Sequence, residues 1–152
     1  MPKITSSTAP NGLPVHRVAL EGARSTTILV AFDAGARTER PEENGMAHFL
    51  EHLVFKGGEI YDDYRKVNET AERMGGVLNA YTSHNLVAFH VTVRAEMAPE
   101  ALDLLTDFVG RPKVDQEELD RERGVGDCQW RPSRSGRVPR AFRRPGKKPC
   151  NR

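Results

Sequence analysis

The sequence is poor in the features that mark several large protein classes. Its 152 residues include only two cysteines, Cys128 and Cys150, and one tryptophan. Two cysteines cannot build a disulfide framework, and these two are too far apart for a C-x-x-C zinc site. The longest wholly apolar run is Ile28–Phe32, far below the ~20 residues that a membrane-spanning helix requires. No apolar stretch follows Met1-Pro2-Lys3, so no secretory leader is expected. The expectation from these absences is a soluble, cytoplasmic protein without a membrane partner.

What is present suits one ordinary domain: 38% hydrophobic and 29% charged residues, enough to bury a core. The formal net charge of +2 hides a division. Residues 126–152 carry nine Lys and Arg against one acid, Asp127, a net +8, whereas the first 125 residues hold 14 basic and 20 acidic residues, a net −6. An acidic body is thus joined to a basic, Arg/Pro-rich tail. The expected domains are 1–125 and a disordered tail at 126–152.

Along the body, Asn11-Gly12 signals a turn, and Pro14–Leu20 and Ser25–Ala34 read as strands paired in a hairpin through Glu21–Arg24. A helix is expected from about Gly45 to Phe55, capped by Asn44 and stopped by Lys56-Gly57-Gly58. A second helix is expected from about Asp62 to Met74, stopped by Gly75-Gly76. Val77–Thr82 and Leu86–Ala95 follow as strands joined by Ser83-His84-Asn85. Ala98–Val109 has apolar residues at helical spacing, and Asp115 can cap a last helix from Gln116 to about Val125. Hairpins without parallel βαβ units predict an α+β fold with an antiparallel sheet and helices packed on it.

The chemistry lies in Gly45–Gly57, GMAHFLEHLVFKG. At about 100° per residue, Glu51 falls near −60° and His52 near +40° of His48, so the three share one narrow face. Met46, Phe49, Leu50, Leu53 and Val54 form the opposite arc and are expected to be buried. Two neutral imidazoles at i and i+4 can bind one zinc ion, whose bound water has a pKa lowered to about 7. A carboxylate beside that water can take its proton and pass it to a leaving amine, and Glu51 stands in that position. With 13 glutamates and five histidines, H-x-x-E-H arises about 0.01 times by chance in a chain of this composition.

H-x-x-E-H is the inverted zincin motif, and its surroundings resemble the pitrilysin–insulinase family of metallopeptidases. The matching pieces are Asn11-Gly12-Leu13, Gly45 to Gly57, Gly75-Gly76-Val77-Leu78-Asn79-Ala80-Tyr81-Thr82 and Glu122-Arg123-Gly124-Val125, in the family's order. The resemblance covers about four-fifths of the chain and implies a zinc metalloendopeptidase acting on extended peptides or proteins. It implies His48 and His52 as zinc ligands, Glu51 as general base and Glu122 as a supporting acid. Asn79 and Ala80 match a strand that pairs with substrate backbone, a form of β-augmentation. A second family-like domain or subunit is the implied partner.

The sequence departs from the family at the third ligand. The family's glutamate there lies seven residues after the one matched by Glu122, and this chain has Gln129, a poor ligand for zinc. Asp127 and Cys128 can ligate, but on a continuing helix they point about 200° and 100° away from the direction of residue 129. The resemblance also stops near Val125, inside a family motif, and family domains continue well beyond. The segment from Gly126 therefore reads as the product of a shifted reading frame in GC-rich DNA, or as a basic arm with Trp130 and Phe142 available for stacking. The expectation is a truncated peptidase domain of low activity. The alternatives are a non-catalytic peptide-binding or partner subunit of the same family, and a basic-tailed nucleic-acid binder.

Overall fold

The computed structural model describes residues 1–41 and 43–129, with side chains as far as residue 122. Five strands and four α-helices follow one another: β1 Lys3–Thr8, β2 Pro14–Ala19, β3 Ser25–Phe32, α1 Met46–Val54, α2 Tyr64–Arg73, β4 Val77–Thr82, β5 Val87–Arg94, α3 Ala98–Gly110 and α4 Gln116–Gln129. Single 3-10 turns precede α1, at Ala36–Thr38, and α3, at Ala95–Met97. All strand pairs are antiparallel, and the architecture is the α+β class expected.

The strand pairing corrects the expected hairpin. Pro14–Ala19 pairs with β1, which the sequence pattern does not signal, and Ser25–Phe32 joins a three-stranded sheet of order β3-β5-β4. The physical reasons are local at one end and tertiary at the other. Around Asn11-Gly12 the backbone closes a tight turn, in which Gly12 N–H donates to Ala9 (2.9 Å) and Ala9 N–H to Leu13 (2.8 Å). That turn aligns β1 with β2. In β3, Ile28 and Val30 alternate toward the core, and they find partners in Val91 and Phe89 of the central strand β5. Both strands of the β1–β2 hairpin stay exposed at every residue.

The core lies between one face of that sheet and three helices. β5 contributes Val87, Phe89, Val91 and Val93; α3 contributes Ala101, Leu104, Leu105 and Phe108; α2 contributes Val67 and Ala71. Burying a side chain of this size stabilises by about 1.5–3 kcal/mol. Phe55, just after α1, stacks on Phe108 (5.7 Å between centroids) and tilts against Phe89 (5.8 Å). The C-terminal end of α1 is thereby fixed on the core. Asp107, wholly buried on α3, accepts hydrogen bonds from the N–H groups of Ile60 (3.0 Å) and Tyr61 (3.1 Å) and faces Arg111 Nη2 at 3.1 Å. It ties the loop leaving α1 to α3.

Of the two expected caps, Asp115 holds at α4 and Asn44 fails at α1, while α2 starts on a cap that the sequence pattern did not signal. Asp63 accepts from Lys66 N–H (2.8 Å) at the start of α2, and Asp115 accepts from Glu118 N–H (2.8 Å) at the start of α4. At α1 the N-cap is Gly45, not Asn44, with φ 89°, a left-handed conformation that glycine adopts without strain. Gly45 has no side chain to cap with. Glu39 supplies the carboxylate from six residues upstream, its oxygens accepting from Gly45 and Ala47 N–H, each at 2.7 Å. A negative group there also suits the helix dipole.

Candidate functional site

α1 carries the functional face, and its packing differs from the simple arc expected. Ala47, Phe49, Leu53 and Val54 are buried, but Met46 and Leu50, in the middle of the arc, are 44% and 49% exposed. The helix is held along two flanks, by β4 and β5 on one side and α4 on the other, so the strip between them stays open. His48, Glu51 and His52 sit half-buried on the side that these flanks enclose.

The two imidazoles meet edge to face, with centroids 4.7 Å apart and planes at 89°. Their Nε2 atoms lie 3.2 Å from each other. Two nitrogens bound at 2.0–2.1 Å to one tetrahedral zinc ion are about 3.3 Å apart. The Nε2 separation is thus close to that of two corners of a zinc coordination shell. Among the described residues, no group of three His, Cys, Asp or Glu side chains could hold a metal ion. Gln129 closes α4, but its side chain, like those of Asp127 and Cys128, lies outside the described residues.

Glu51 is held from the sheet. Thr82 at the end of β4 donates its hydroxyl to Glu51 Oε2, leaving the other carboxylate oxygen for a second partner. The chain before α1 is sewn to the same end of β4: Ala36 N–H donates to Ser83 (3.2 Å) and Arg37 N–H to His84 (2.9 Å). Gly35 makes this approach possible, since a Cβ there would lie 2.5 Å from the backbone of His84–Leu86.

Glu122 reaches the site from α4. Its Oε2 lies 3.2 Å from His52 Nδ1, the ring nitrogen away from His48, while Lys56 Nζ donates to its Oε1 at 2.6 Å. Glu122 therefore stands behind His52 and not among the atoms that face the Nε2 pair. A carboxylate in that place fixes which imidazole nitrogen carries the proton. Lys56 also lies 3.5 Å from Glu118 Oε2 and 5.9 Å above the Tyr64 ring.

Asn79 and Ala80 lie on β4, an outer strand of the sheet, Asn79 exposed and Ala80 half-buried. Ala80 N–H donates to Asn79 Oδ1 at 2.8 Å. The shifted titrations lie in the loop and helix after α1. Burial pushes the Tyr61 hydroxyl up, with Glu100, Asp103 and Asp107 adding to the effect. The Lys66 ammonium bonds Asp62, lowering the aspartate and raising the lysine.

His48, Glu51, His52 and Glu122 thus lie together, with Asn79 and Ala80 on the strand whose end holds Glu51. Sequence reasoning missed Glu39, Lys56 and Thr82. Lys56 had a signal, because it follows His52 by one helical turn. Thr82 closes the matched Gly75–Thr82 stretch. Glu39 sits in a loop and had no periodic cue. The tail readings fall on 126–152; residues 130–152 lie outside the described residues, and no helix among the described residues is long and apolar enough to cross a membrane.

Residues 17–147 match the family model described as insulinase, peptidase family M16. A probable mitochondrial-processing peptidase subunit beta from Arabidopsis thaliana is 40% identical over 124 residues, covering 82% of this chain and 23% of that protein. An uncharacterized zinc protease of Bacillus subtilis is 39% identical over 121 residues, 78% of this chain and 29% of the relative. Among solved structures, a protease from Helicobacter pylori superposes with a TM-score of 0.79 at 29% identity, covering 85% of this chain and 31% of that one. Pitrilysin superposes with a TM-score of 0.75 at 26% identity, covering 84% and 14%. The chain spans between a fifth and a third of the length of the curated relatives it matches. With its motif helix, its antiparallel α+β fold and a family match over most of its length, the chain belongs to the insulinase family of metallopeptidases.

Proposed function

We propose that this chain carries the zinc-binding and proton-transfer part of a metalloendopeptidase site. The observation that carries the reading is the 3.2 Å approach of the His48 and His52 Nε2 atoms, with Glu51 on the same helical face. His48 and His52 would hold zinc, which when bound acidifies a water and polarises the scissile carbonyl. Glu51, steadied by Thr82 on one oxygen, takes the water's proton on the other and delivers it to the leaving amine. Glu122 keeps His52 in the tautomer whose Nε2 lone pair is available. An extended peptide would pair with β4 at Asn79 and Ala80, and for Ala80 N–H to bond its carbonyl the Asn79 amide must release that group.

The relatives include peptidase subunits, which supports a second family-like domain or subunit as the partner that completes the peptide site. Gln129 favours a second reading for this chain on its own: a family member that binds peptide or partner with little or no cleavage, because a neutral amide replaces the expected carboxylate ligand. Zinc titration of the chain against its His48→Ala and His52→Ala variants tests the metal reading. The expectation is measurable binding lost in both variants; equal, weak binding by all three proteins defeats it. Retained peptide binding without hydrolysis at saturating zinc supports the second reading.

A further inference from the structure

We propose that Lys56 is a positioning residue that acts on His52 through Glu122. The inference rests on the preceding reading of His52 as a ligand, but its first test does not need a metal. Glu122 is buried, and its one carboxylate is shared between two donors. Lys56 Nζ takes Oε1 at 2.6 Å and His52 Nδ1 meets Oε2 at 3.2 Å.

A carboxylate is planar, so fixing one oxygen fixes where the other points. Lys56 is well placed to do this. It leaves α1 one turn after His52, its ammonium is only partly exposed, and Glu118 and the Tyr64 ring confine it from two further sides. Without the lysine, the Glu122 side chain could turn about its terminal bond, and its burial would no longer be offset by a cation. His52 would then lose its aimed acceptor. An imidazole with no acceptor at Nδ1 has no reason to keep its proton there, and the Nε2 lone pair directed toward His48 would be lost from part of the population. A lysine outside the H-x-x-E-H motif thereby sets the tautomer of a histidine inside it.

The experiment is nitrogen-15 NMR of the His52 ring in the metal-free chain, at a pH above the imidazole range, followed by zinc titration. The wild type is expected to show His52 protonated at Nδ1. Lys56→Met is expected to shift it toward the Nε2-protonated tautomer and weaken zinc binding about tenfold; Lys56→Arg, which keeps a cationic donor, is expected to restore both. A Lys56→Met protein with an unchanged His52 tautomer overturns the proposal, whatever its zinc affinity. If Lys56→Met does not fold, the pair Glu122→Gln and Lys56→Met/Glu122→Gln decides, since removing the buried charge removes the need for the cation. Lys56 acting through Glu122 predicts identical His52 signals in those two proteins, and a further change in the double variant contradicts it. Should the wild type bind no zinc, the metal reading fails while the tautomer comparison still judges Lys56.

Discussion

The two helices that meet at the site are held by different forces. α1 is seated by apolar side chains: Phe49, Leu53 and Val54 are buried, and Phe55 beyond them packs on Phe89 and Phe108. Of α4, Glu122 is the one described side chain that is buried, and it meets Lys56 and His52. Hydrophobic burial is insensitive to register at the level of single atoms, whereas a shared carboxylate works only in one orientation. The difference teaches that α1 places the site and α4 tunes it. Loss of α4 contacts should spoil His52 before it unfolds the domain.

The largest expected effect is on the apolar seat. Leu53→Ala should cost about 2–5 kcal/mol of stability, measured by denaturant unfolding, and with it the fold around His52. A cost below that of a surface change would show that α1 is not seated as described. Glu122→Ala should cost less, about 1–3 kcal/mol, because Lys56 is partly solvated once released. Its signature is faster amide exchange in α4 while the β3-β5-β4 sheet keeps its protection; uniform loss of protection would make the two helices one cooperative unit. Gln129→Glu adds the carboxylate expected from the family at the end of α4 and should tighten zinc binding by about tenfold, roughly 1.4 kcal/mol. Unchanged affinity would mean that α4 does not bring residue 129 to the metal.

The smallest effect is at the exposed Asp62–Lys66 pair of the α2 entry, away from both seats. Lys66 holds the Asp62 carboxyl below the ordinary aspartate range, so whatever stability the pair adds is present above that range and fades as pH falls through the lowered value. Asp62→Asn should leave the neutral-pH melting temperature nearly unchanged and abolish only that acid-side loss. An acid limb identical to the wild type's contradicts the sign.

How much of this was legible in the sequence follows the range of the interactions. Val77–Thr82 was read to the residue, and the α1 span within one residue at each end, because alternation and helical spacing are local patterns. The H-x-x-E-H face was legible for the same reason. β1 was missed because Lys3–Thr8 is largely polar and fully exposed, so no burial pattern marks it. The pairing of β3 with β5 rather than β2 is a contact across more than fifty residues, which turn chemistry does not encode. The Glu39 cap displaced the expected Asn44 cap because a carboxylate from a preceding loop reached the same N–H groups. Met46 and Leu50 were expected inside because helical geometry gives a direction but not the position of the neighbouring elements. α4 runs on to Gln129 past the expected end near Val125, since Gly124 and Gly126 each weaken a helix by only about 1 kcal/mol.

The central claim is that His48 and His52 together hold one zinc ion. X-ray absorption at the zinc edge, on the chain loaded with one equivalent, tests it most directly. Imidazole scattering from two histidines with nitrogens at about 2.0–2.1 Å is expected, falling to one histidine or to unbound zinc in His48→Ala. A zinc environment without histidine, or one that His48→Ala leaves unchanged, would contradict it.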